Sequence, residues 1–305
     1  MVYKKQSYRP AFTIVELLVV IVVIGILAAI TIVSYTGISN RAVISSMQSD
    51  LTNASTALKL DYVSNGTFPT TLALANNGKG ITQSQSLDNI IYIPDNTSNP
   101  SNFCLQYTKG INTYAVDNTS TVSSGVCLKN LVTNGDFRNG VSGWGGELSS
   151  ISVSGGVVSG TANGTSYYSA IDQTCTNCAV IGHQIYAIYQ EMVTNSSSTA
   201  LGINISDPLG NRSFSTGVNN PIANQWYAIS GIVTFVATGD MSFKPVQAYV
   251  DAATASGKVM KLKYVDIFDL TASFGAGDEP TKAQMDAIMN NYPNNWFNIV
   301  AKASL

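Results

Sequence analysis

Histidine and charged side chains are scarce in this sequence. Among 305 residues there is one histidine, His183, and only 11% of the chain is charged. A single histidine excludes a histidine-rich metal site, and every catalytic triad would have to include it. With 16 basic against 18 acidic residues and a net charge of −2, a nucleic-acid-binding protein is not expected, because neutralising phosphates needs a basic surface. The apolar content of 45% is nevertheless sufficient for a packed core.

Recognisable catalytic motifs are missing as well. His183 lies in an alternating, strand-like run, where a histidine held by ordinary hydrogen bonds is the simpler interpretation. No Gly-x-Ser-x-Gly motif accompanies a helix start, so serine hydrolase chemistry has no basis. Glycoside hydrolysis needs two facing carboxylates, and the glutamates beyond the first helix, Glu147, Glu191 and Glu279, have no catalytic context. We therefore expect that the protein is not an enzyme.

The N-terminal forty residues contain the longest apolar run. Residues 17–40 carry no charge, and about 20 apolar residues suffice to span a bilayer as a helix. Lys4, Lys5 and Arg9 precede the run, so the positive-inside rule predicts a cytoplasmic N-terminus. A secretory signal peptide would have a shorter run that ends in a cleavage site. An ordinary membrane anchor would not explain Glu16, since carboxylates in such segments are costly.

A specific pattern accounts for all of these features. Residues 9–21 read RPAFTIVELLVVI and residues 24–30 read IGILAAI, which resembles the class III leader of type IV pilins and pseudopilins. The resemblance implies that a prepilin peptidase cleaves between Ala11 and Phe12 and that the new N-terminus, Phe12, is methylated. It also implies that Glu16, at the fifth mature position, takes part in assembly. Ala11 stands where the family usually has glycine.

The resemblance also implies an organisation and a location. Residues 1–11 would be the leader, and residues 12–66 a long helix that spans the membrane at about residues 14–36. The precursor would cross the cytoplasmic membrane once and then join an extracellular fibre, with prepilin peptidase and other pilin subunits as partners. Apolar positions at helical spacing beyond Arg41 predict that the helix continues as an amphipathic one, and Asn65-Gly66 predicts its end.

A small sheet is expected to follow in residues 67–128, the globular head. Turn signals separate three candidate strands, residues 90–93, 103–108 and 113–116. Outside the membrane, Cys104 and Cys127 favour a disulfide over free thiols. Such a bond would stabilise a small head by roughly 3 kcal/mol, and pilin heads commonly close their C-terminal region in this way.

The remaining residues, 129–305, exceed what a usual pilin contains. Residues 130–144, with the pattern N-G-x-F…G-W, look like the start of carbohydrate-binding jelly-roll modules. Residues 226–231 resemble a central strand of these modules and residues 264–270 their closing strand. The predicted fold is therefore α+β: a long helix with a small antiparallel head, then an all-β sandwich of the jelly-roll type with a C-terminal helical tail.

Aromatic and acidic residues of this sandwich are its candidate ligand contacts. Aromatic rings stack on sugar faces, and Tyr167, Tyr168 and Trp144 are the predicted carbohydrate contacts, whereas Trp226 is expected to pack between the sheets. Modules of this kind often hold a structural calcium ion, and the resemblance implies the carboxylates of Asp136 and Asp266 as its ligands.

A second cysteine pair lies within the sandwich. Cys175-x-x-Cys178 lacks the two further ligands that zinc requires, and it lies among strands and turns instead of opening a helix as a redox dithiol would. A local structural disulfide is therefore predicted. No cofactor other than calcium is expected.

Together these features predict a structural or adhesive subunit of a type IV pilus or pilus-like fibre. The large sandwich would be hard to accommodate on every subunit, which favours a minor or tip-located pilin that binds a glycan or host surface. A pseudopilin of a type II secretion or DNA-uptake system is the alternative, and only in DNA uptake would nucleic acid be a partner. A membrane-anchored glycan-processing enzyme is a further alternative.

Overall fold

The computed structural model describes most of the chain, which divides into two compact units, Met1–Ser49 and Asp50–Leu305. The described residues are 14–81, 90–96, 101–110, 112–118, 121–146, 148–166, 168–195, 198–214, 217–290 and 299–303. The predicted leader and the bond between Ala11 and Phe12 lie outside these ranges.

A single long helix, α1, occupies Ile14–Asn65. Its segment Ile14–Thr31 has a mean hydropathy of 3.0, and by length and composition it could span a membrane. The helix ends where the N–H of Gly66 donates a hydrogen bond to the carbonyl oxygen of Tyr62 (2.8 Å). Gly66 has a φ of 74°, a left-handed conformation that glycine adopts without steric cost. The predicted helix end is confirmed.

An antiparallel sheet forms the head after a short 3-10 turn, Leu72–Leu74, and a helical turn, α2. The strands follow the order β1-β2-β3-β4. Their bounds, with those of α2 and of the next strand β5, are α2 Ala75–Gly78, β1 Ile90–Asp95, β2 Asn102–Lys109, β3 Asn112–Asp117, β4 Ser123–Ser124 and β5 Val126–Lys129. Cys104 and Cys127 form a disulfide between β2 and β5. The predicted strands and this disulfide are confirmed.

Aromatic rings and one carboxylate fix the end of α1 to the head. Phe68 stacks on Tyr62 with ring centres 4.6 Å apart, and it meets Phe103 of β2 edge-on at 5.0 Å. Asp61, buried near the end of α1, accepts hydrogen bonds from the backbone N–H groups of Asn76 (2.6 Å) and Asn77 (3.1 Å). These bonds satisfy the carboxylate where water cannot reach it.

Two five-stranded antiparallel sheets form the sandwich that follows. The sheet with the order β13-β10-β15-β8-β7 is called sheet I, and the sheet with the order β12-β11-β14-β9-β6 is called sheet II. The strands are β6 Gly145–Gly146, β7 Leu148–Ser154, β8 Val157–Ala162, β9 Tyr168–Ala179, β10 Gln184–Val193, β11 Ser198–Asp207, β12 Gly210–Phe214, β13 Trp226–Thr234, β14 Gly239–Tyr249 and β15 Val259–Asp269. The predicted fold class is thereby confirmed.

Side chains alternate between the space enclosed by the sheets and the outer faces, as period-2 strands require. On β10, Ile185, Tyr189 and Val193 are buried in the main core, and on β14 Phe243 faces them. The rings of Tyr189 and Phe243 meet edge-on with centres 6.1 Å apart. This alternation decides which side chains are available on the outer faces.

Asn130 ties the opening of the sandwich to its closing strand. Its amide nitrogen donates a hydrogen bond to Asp266 Oδ1 (2.7 Å), and its amide oxygen accepts one from the N–H of Ile267 (2.9 Å). Leu131 continues the pairing by donating its N–H to the carbonyl of Ile267 (2.8 Å). The asparagine at the start of the predicted opening pattern therefore joins the two ends of the fold.

Head and sandwich share a hydrophobic cluster instead of meeting at a linker. Three short helices and one strand follow within or after the sandwich: α3 Ala252–Ala255, α4 Leu270–Phe274, α5 Lys282–Asn290 and β16 Ile299–Ala303. Val126 and Leu128 of β5 and Met285 of α5 pack against Tyr186 and Phe268 of sheet I. β16 pairs with β5 of the head. The predicted domain start at residue 129 is thus not a break in packing.

Candidate functional site on the outer face of sheet I

Helix α5 and strand β5 cover only part of the outer face of sheet I. Tyr186 lies in the covered part, where its hydroxyl donates a hydrogen bond to Asp286 Oδ1 of α5 (2.8 Å). Ser230 also donates to this oxygen, at 2.8 Å. The covered part is therefore held to the tail by polar contacts as well as by the apolar cluster.

The other part of this face lies outside the described cluster that α5 and β5 form with Tyr186 and Phe268, and the strand register defines its members. Met192 of β10 pairs with both Trp226 of β13 and Lys261 of β15. Gln190, two residues earlier on β10, pairs with Lys263 of β15. Directly paired residues of adjacent antiparallel strands point to the same side, so these five side chains share one surface. We call it the open half of sheet I.

A β-bulge adds a second aromatic ring to the open half. Between the pairs Ile188–Asp266 and Gln190–Lys263, β15 contains one residue more than β10. Tyr264 lies in this interval with a φ of 54°, which is unusual for a bulky residue and carries backbone strain. Bulges and such strained residues are concentrated at functional sites.

Lys263 lies between the two aromatic side chains. Its Nζ is 4.4 Å from the ring centre of Trp226 and 5.4 Å from that of Tyr264. Both distances are within the range of cation–π attraction, which holds the ammonium group in place. Trp226 and Tyr264 are half-buried, so part of each ring is accessible. The arrangement offers ring faces for stacking, and the Lys263 ammonium and Gln190 amide for hydrogen bonds.

The predicted position of Trp226 between the sheets is wrong. Tyr227, its neighbour, packs against the core instead, and its hydroxyl accepts a hydrogen bond from the N–H of Ile222 (2.8 Å). Ile229 and Val233 are buried in the same core. Because side chains alternate along β13, the residues in phase with Ile229 point inwards, and Trp226 therefore points outwards.

The three predicted carbohydrate contacts are not brought together. Trp144 is buried, with its ring centre 5.1 Å from that of Phe137, and its Nε1–H donates a hydrogen bond to the carbonyl of Asn134 (3.0 Å). A surface role for Trp144 is thus corrected to a core role, because the ring and its polar atom are both occupied. Tyr168 is half-buried at the start of β9 in sheet II, and Tyr167 lies outside the described residues.

The carboxylates predicted to bind calcium lie on adjacent segments. The N–H of Val265, the residue before Asp266, donates a hydrogen bond to the carbonyl of Gly135, the residue before Asp136 (3.0 Å). The segments that contain the two aspartates therefore lie side by side. Asp136 forms an ion pair with Arg138 Nε (2.5 Å), and Asp266 accepts its hydrogen bond from Asn130.

The groups around the two carboxylates bear on the calcium prediction, which nothing in the structure tests. Calcium requires six to eight oxygen ligands, and in the described part of the chain no three acidic, histidine or cysteine side chains lie together as a metal site. Both Asp136 and Asp266 already face a nitrogen donor. A calcium ion between them stays a prediction that would require Arg138 to move.

The single histidine has a structural partner. His183 Nδ1 lies 2.7 Å from Asp269 Oδ2. The other oxygen of Asp269 accepts a hydrogen bond from the N–H of Ala272 (2.9 Å) and so caps the start of α4. The pair fixes α4 to the beginning of β10. Within β9, Cys175 and Cys178 form the predicted disulfide.

The carboxyl group of Glu191 lies inside the sandwich. Glu191 is fully buried, and among the described residues neither of its carboxyl oxygens has a hydrogen-bond partner. The nearby Tyr189 hydroxyl donates to the carbonyl of Gly202 (2.6 Å) and the Gln247 amide to that of Met192 (3.3 Å). Desolvation by burial raises the pKa of Glu191 well above its ordinary value and outweighs the opposing effect of these neighbours.

The comparisons with known proteins concern the N-terminal segment and the β-sandwich. Residues 7–32 match the prokaryotic N-terminal methylation motif, the signal of type IV prepilins. This match confirms the predicted resemblance of the N-terminus. Together with the apolar helix Ile14–Thr31, the motif supports a subunit that is anchored in the membrane and then exposed at the surface. No curated protein matches the chain.

Several solved structures resemble the sandwich. TmCBM61 in complex with β-1,4-galactotriose is 15% identical, over 46% of this chain and 99% of that one, with a TM-score of 0.34. A CBM4 structure is 13% identical over 45% and 99%, with a TM-score of 0.35. The CBM22-1 xylan-binding domain of Paenibacillus barcinonensis Xyn10C is 11% identical over 42% and 85%, with a TM-score of 0.34. At these scores the resemblance carries no argument about the ligand.

Proposed function

We propose that this protein is a non-catalytic, pilin-like subunit of a type IV pilus or related fibre that displays a glycan-binding sandwich. The observation that carries the proposal is the open half of sheet I, where Trp226 and Tyr264 flank Lys263 outside the described cluster formed by helix α5. The methylation motif and the apolar helix support display on a fibre.

Sugar binding follows from the chemistry of this surface. A sugar ring presents an apolar face of C–H groups, which can stack on Trp226 and Tyr264. Its hydroxyl groups can accept hydrogen bonds from Lys263 and exchange them with the amide of Gln190. Each site would bind weakly because it is open and shallow, but several subunits on one fibre would multiply the effect by raising the effective concentration.

Processing is the first expected outcome. The mature protein should begin with N-methylated Phe12, because prepilin peptidase removes residues 1–11 of such precursors. Mass spectrometry of the N-terminal peptide from membranes and from sheared fibres checks this directly. A mature terminus near Ile30 would indicate an ordinary signal peptidase and would contradict the pilin-like role. An uncleaved chain in fibres would contradict it too.

Glycan binding through Trp226 is the second expected outcome. The full-length chain, kept in micelles of a detergent without a sugar headgroup, is screened on a polysaccharide array. Trp226→Ala should weaken binding to every glycan hit about tenfold or more, since buried aromatic contacts dominate such interfaces. Tyr168→Ala serves as the matched control, because it removes a half-buried aromatic residue from the other sheet.

The control also identifies the site. Loss of binding in Tyr168→Ala with full binding in Trp226→Ala would move the site to sheet II and refute the role of the open half. Absence of any glycan binding, with specific capture of one pilin partner by the sandwich, would refute the glycan-binding function. Thermal unfolding of each variant confirms that it is folded.

A further inference from the structure

The open half of sheet I contains positive charge and no negative charge. Lys261 and Lys263 point outwards from β15, and the residues paired with them on β10, Met192 and Gln190, are neutral. On the opposite side, Lys261 pairs with Ser159 of β8. In the described chain the ion pairs involve other residues, and neither lysine takes part in one.

The nearest acid on the same strand is not available to neutralise these lysines. Asp266 lies beyond the bulge, is buried, and accepts a hydrogen bond from Asn130. The chain as a whole has more acidic than basic residues, 18 against 16. Two neighbouring lysines without an acidic partner among the described residues are therefore unusual in a chain that has more acidic than basic residues.

A general structural role does not explain these two lysines. Lysines on exposed edge strands prevent aggregation between sheets, but β15 is the central strand of sheet I. Residues 261 and 263 are two positions apart, which separates their backbones by roughly 7 Å along the strand. Two cations on neighbouring outward positions of one strand attract an anion more strongly than either does alone.

The aromatic contact leaves Lys263 able to bind an anion. Its ammonium group lies 4.4 Å from the ring centre of Trp226 and 5.4 Å from that of Tyr264. An ammonium group has three N–H donors, and a cation–π contact does not exclude hydrogen bonds from them to a ligand. Charge-assisted hydrogen bonds of this kind are stronger than those to neutral hydroxyl groups.

We infer that the open half of sheet I binds an acidic polysaccharide, whose sugar ring stacks on Trp226 while Lys261 and Lys263 bind its carboxylate or phosphate groups. This inference rests on the proposed glycan-binding function and specifies its ligand class. A neutral glycan could accept a hydrogen bond from Lys263 but would not gain the charge attraction of the two lysines.

A matched pair of polymers tests the inference. Polygalacturonate and its fully methyl-esterified form share one sugar backbone and differ in charge, and a phosphate-bearing polymer, a teichoic acid, is compared with neutral xylan and galactan. Binding to the full-length chain is measured in micelles at low and at high salt. We expect at least about tenfold tighter binding to a carboxylate or phosphate polymer than to its neutral counterpart, and loss of this preference at high salt.

The variants assign the preference to the two lysines. Lys261→Met combined with Lys263→Met should lose the preference for the acidic polymer, because the affinity for the acidic polymer should fall much more than the affinity for the neutral one. The double replacement by arginine should preserve the preference, because it keeps both charges. Lys244→Met, on the half-buried outer side of β14 in sheet II, is the matched control and should behave as the wild type.

The possible failures are distinguishable. If charged and neutral polymers bound with equal affinity, and Trp226→Ala lost the binding of both polymers, the inference would be overturned. The glycan-binding function would still stand. Absence of binding to all polymers would overturn both. Single-stranded DNA of equal charge is included, because lysines beside an exposed tryptophan can also bind stacked bases. Tighter binding to DNA than to every acidic polysaccharide would overturn the inference as well.

Discussion

Replacing Glu16 by alanine should leave the protein in the membrane and remove it from assembled fibres. Glu16 lies in the first turn of α1, within the apolar segment Ile14–Thr31, and its side chain is exposed. A carboxylate within an apolar membrane segment is costly. Alanine removes this cost, so insertion should be at least as efficient as in the wild type.

Assembly should fail because the substitution removes the negative charge. In a fibre of such subunits, the pilin resemblance implies that the methylated amine of Phe12 from a neighbour pairs with Glu16. An unpaired amine in an apolar fibre core would be strongly unfavourable. We therefore expect near-complete loss of the variant from the fibre fraction, measured by quantitative immunoblots of sheared fibres and of membranes.

Thr31→Val is the matched control for this experiment. Thr31 is the polar residue at the other end of the same apolar segment, and its hydroxyl donates hydrogen bonds back to the carbonyls of Leu27 and Ala28, each at 2.9 Å. Its loss changes polarity without changing charge, so incorporation should be normal. If Glu16→Ala entered fibres as efficiently as this control, the assembly role of Glu16 would be refuted.

Glu191→Gln should stabilise the fold at alkaline pH by about 1.4 kcal/mol for each unit by which burial raises the pKa of Glu191. The carboxyl group is fully buried without a hydrogen-bond partner, and desolvation raises its pKa well above the ordinary value. In the unfolded chain the same group ionises at its ordinary pKa of about 4.3. Glutamine has nearly the same shape and no charge to bury.

The direction of the pH dependence follows from proton binding. Between the ordinary pKa and the raised pKa, the folded protein holds a proton on Glu191 that the unfolded chain has released. The free energy of unfolding of the wild type should therefore fall as pH rises above about 4.3, and that of Glu191→Gln should lack this contribution. The advantage of the variant should be largest near pH 8 and should shrink towards pH 5.

Thermal unfolding of the full-length chain across this pH range checks the prediction. Glu279→Gln is a suitable control, because Glu279 is half-buried and its pKa is lowered, mainly by the hydrogen bond from Thr271. Its contribution has the opposite sign and is lost as pH falls. A pH profile of Glu191→Gln parallel to that of the wild type would show that Glu191 is ionised in the folded state.

The elements that the sequence predicts well depend on local signals. The end of α1 follows from Asn65-Gly66, and both disulfides follow from the number of cysteines and the predicted location outside the cytoplasm. The outward position of Trp226 was also available, since Ile229 and Val233 set the phase of β13. The prediction that Trp226 lies in the core was based on the size of its side chain and ignored this alternation. It therefore placed Trp226 on the wrong side of the sheet.

The binding surface itself depends on contacts that no local pattern contains. Lys263 meets Trp226 only because β15 and β13 flank β10 in a fixed register. The bulge at Tyr264 depends on the partner strand, since it appears as one extra residue relative to β10. A sequence can show that Tyr264 and Lys263 are adjacent, but it cannot show that a third residue from another strand completes the group.

The pairing of β16 with β5 has a mechanical consequence. Ile299 pairs with Lys129, so the chain leaves the head for the sandwich and returns to it at neighbouring points. A pull on the sandwich is therefore transmitted to the head through the covalent chain at β5 and also through the hydrogen-bonded β5–β16 ladder. Strand β5 is itself fastened to β2 through Cys127 and Cys104. Pulling the sandwich away from the head would have to separate the β5–β16 ladder, while the disulfide keeps β5 attached to the sheet of the head.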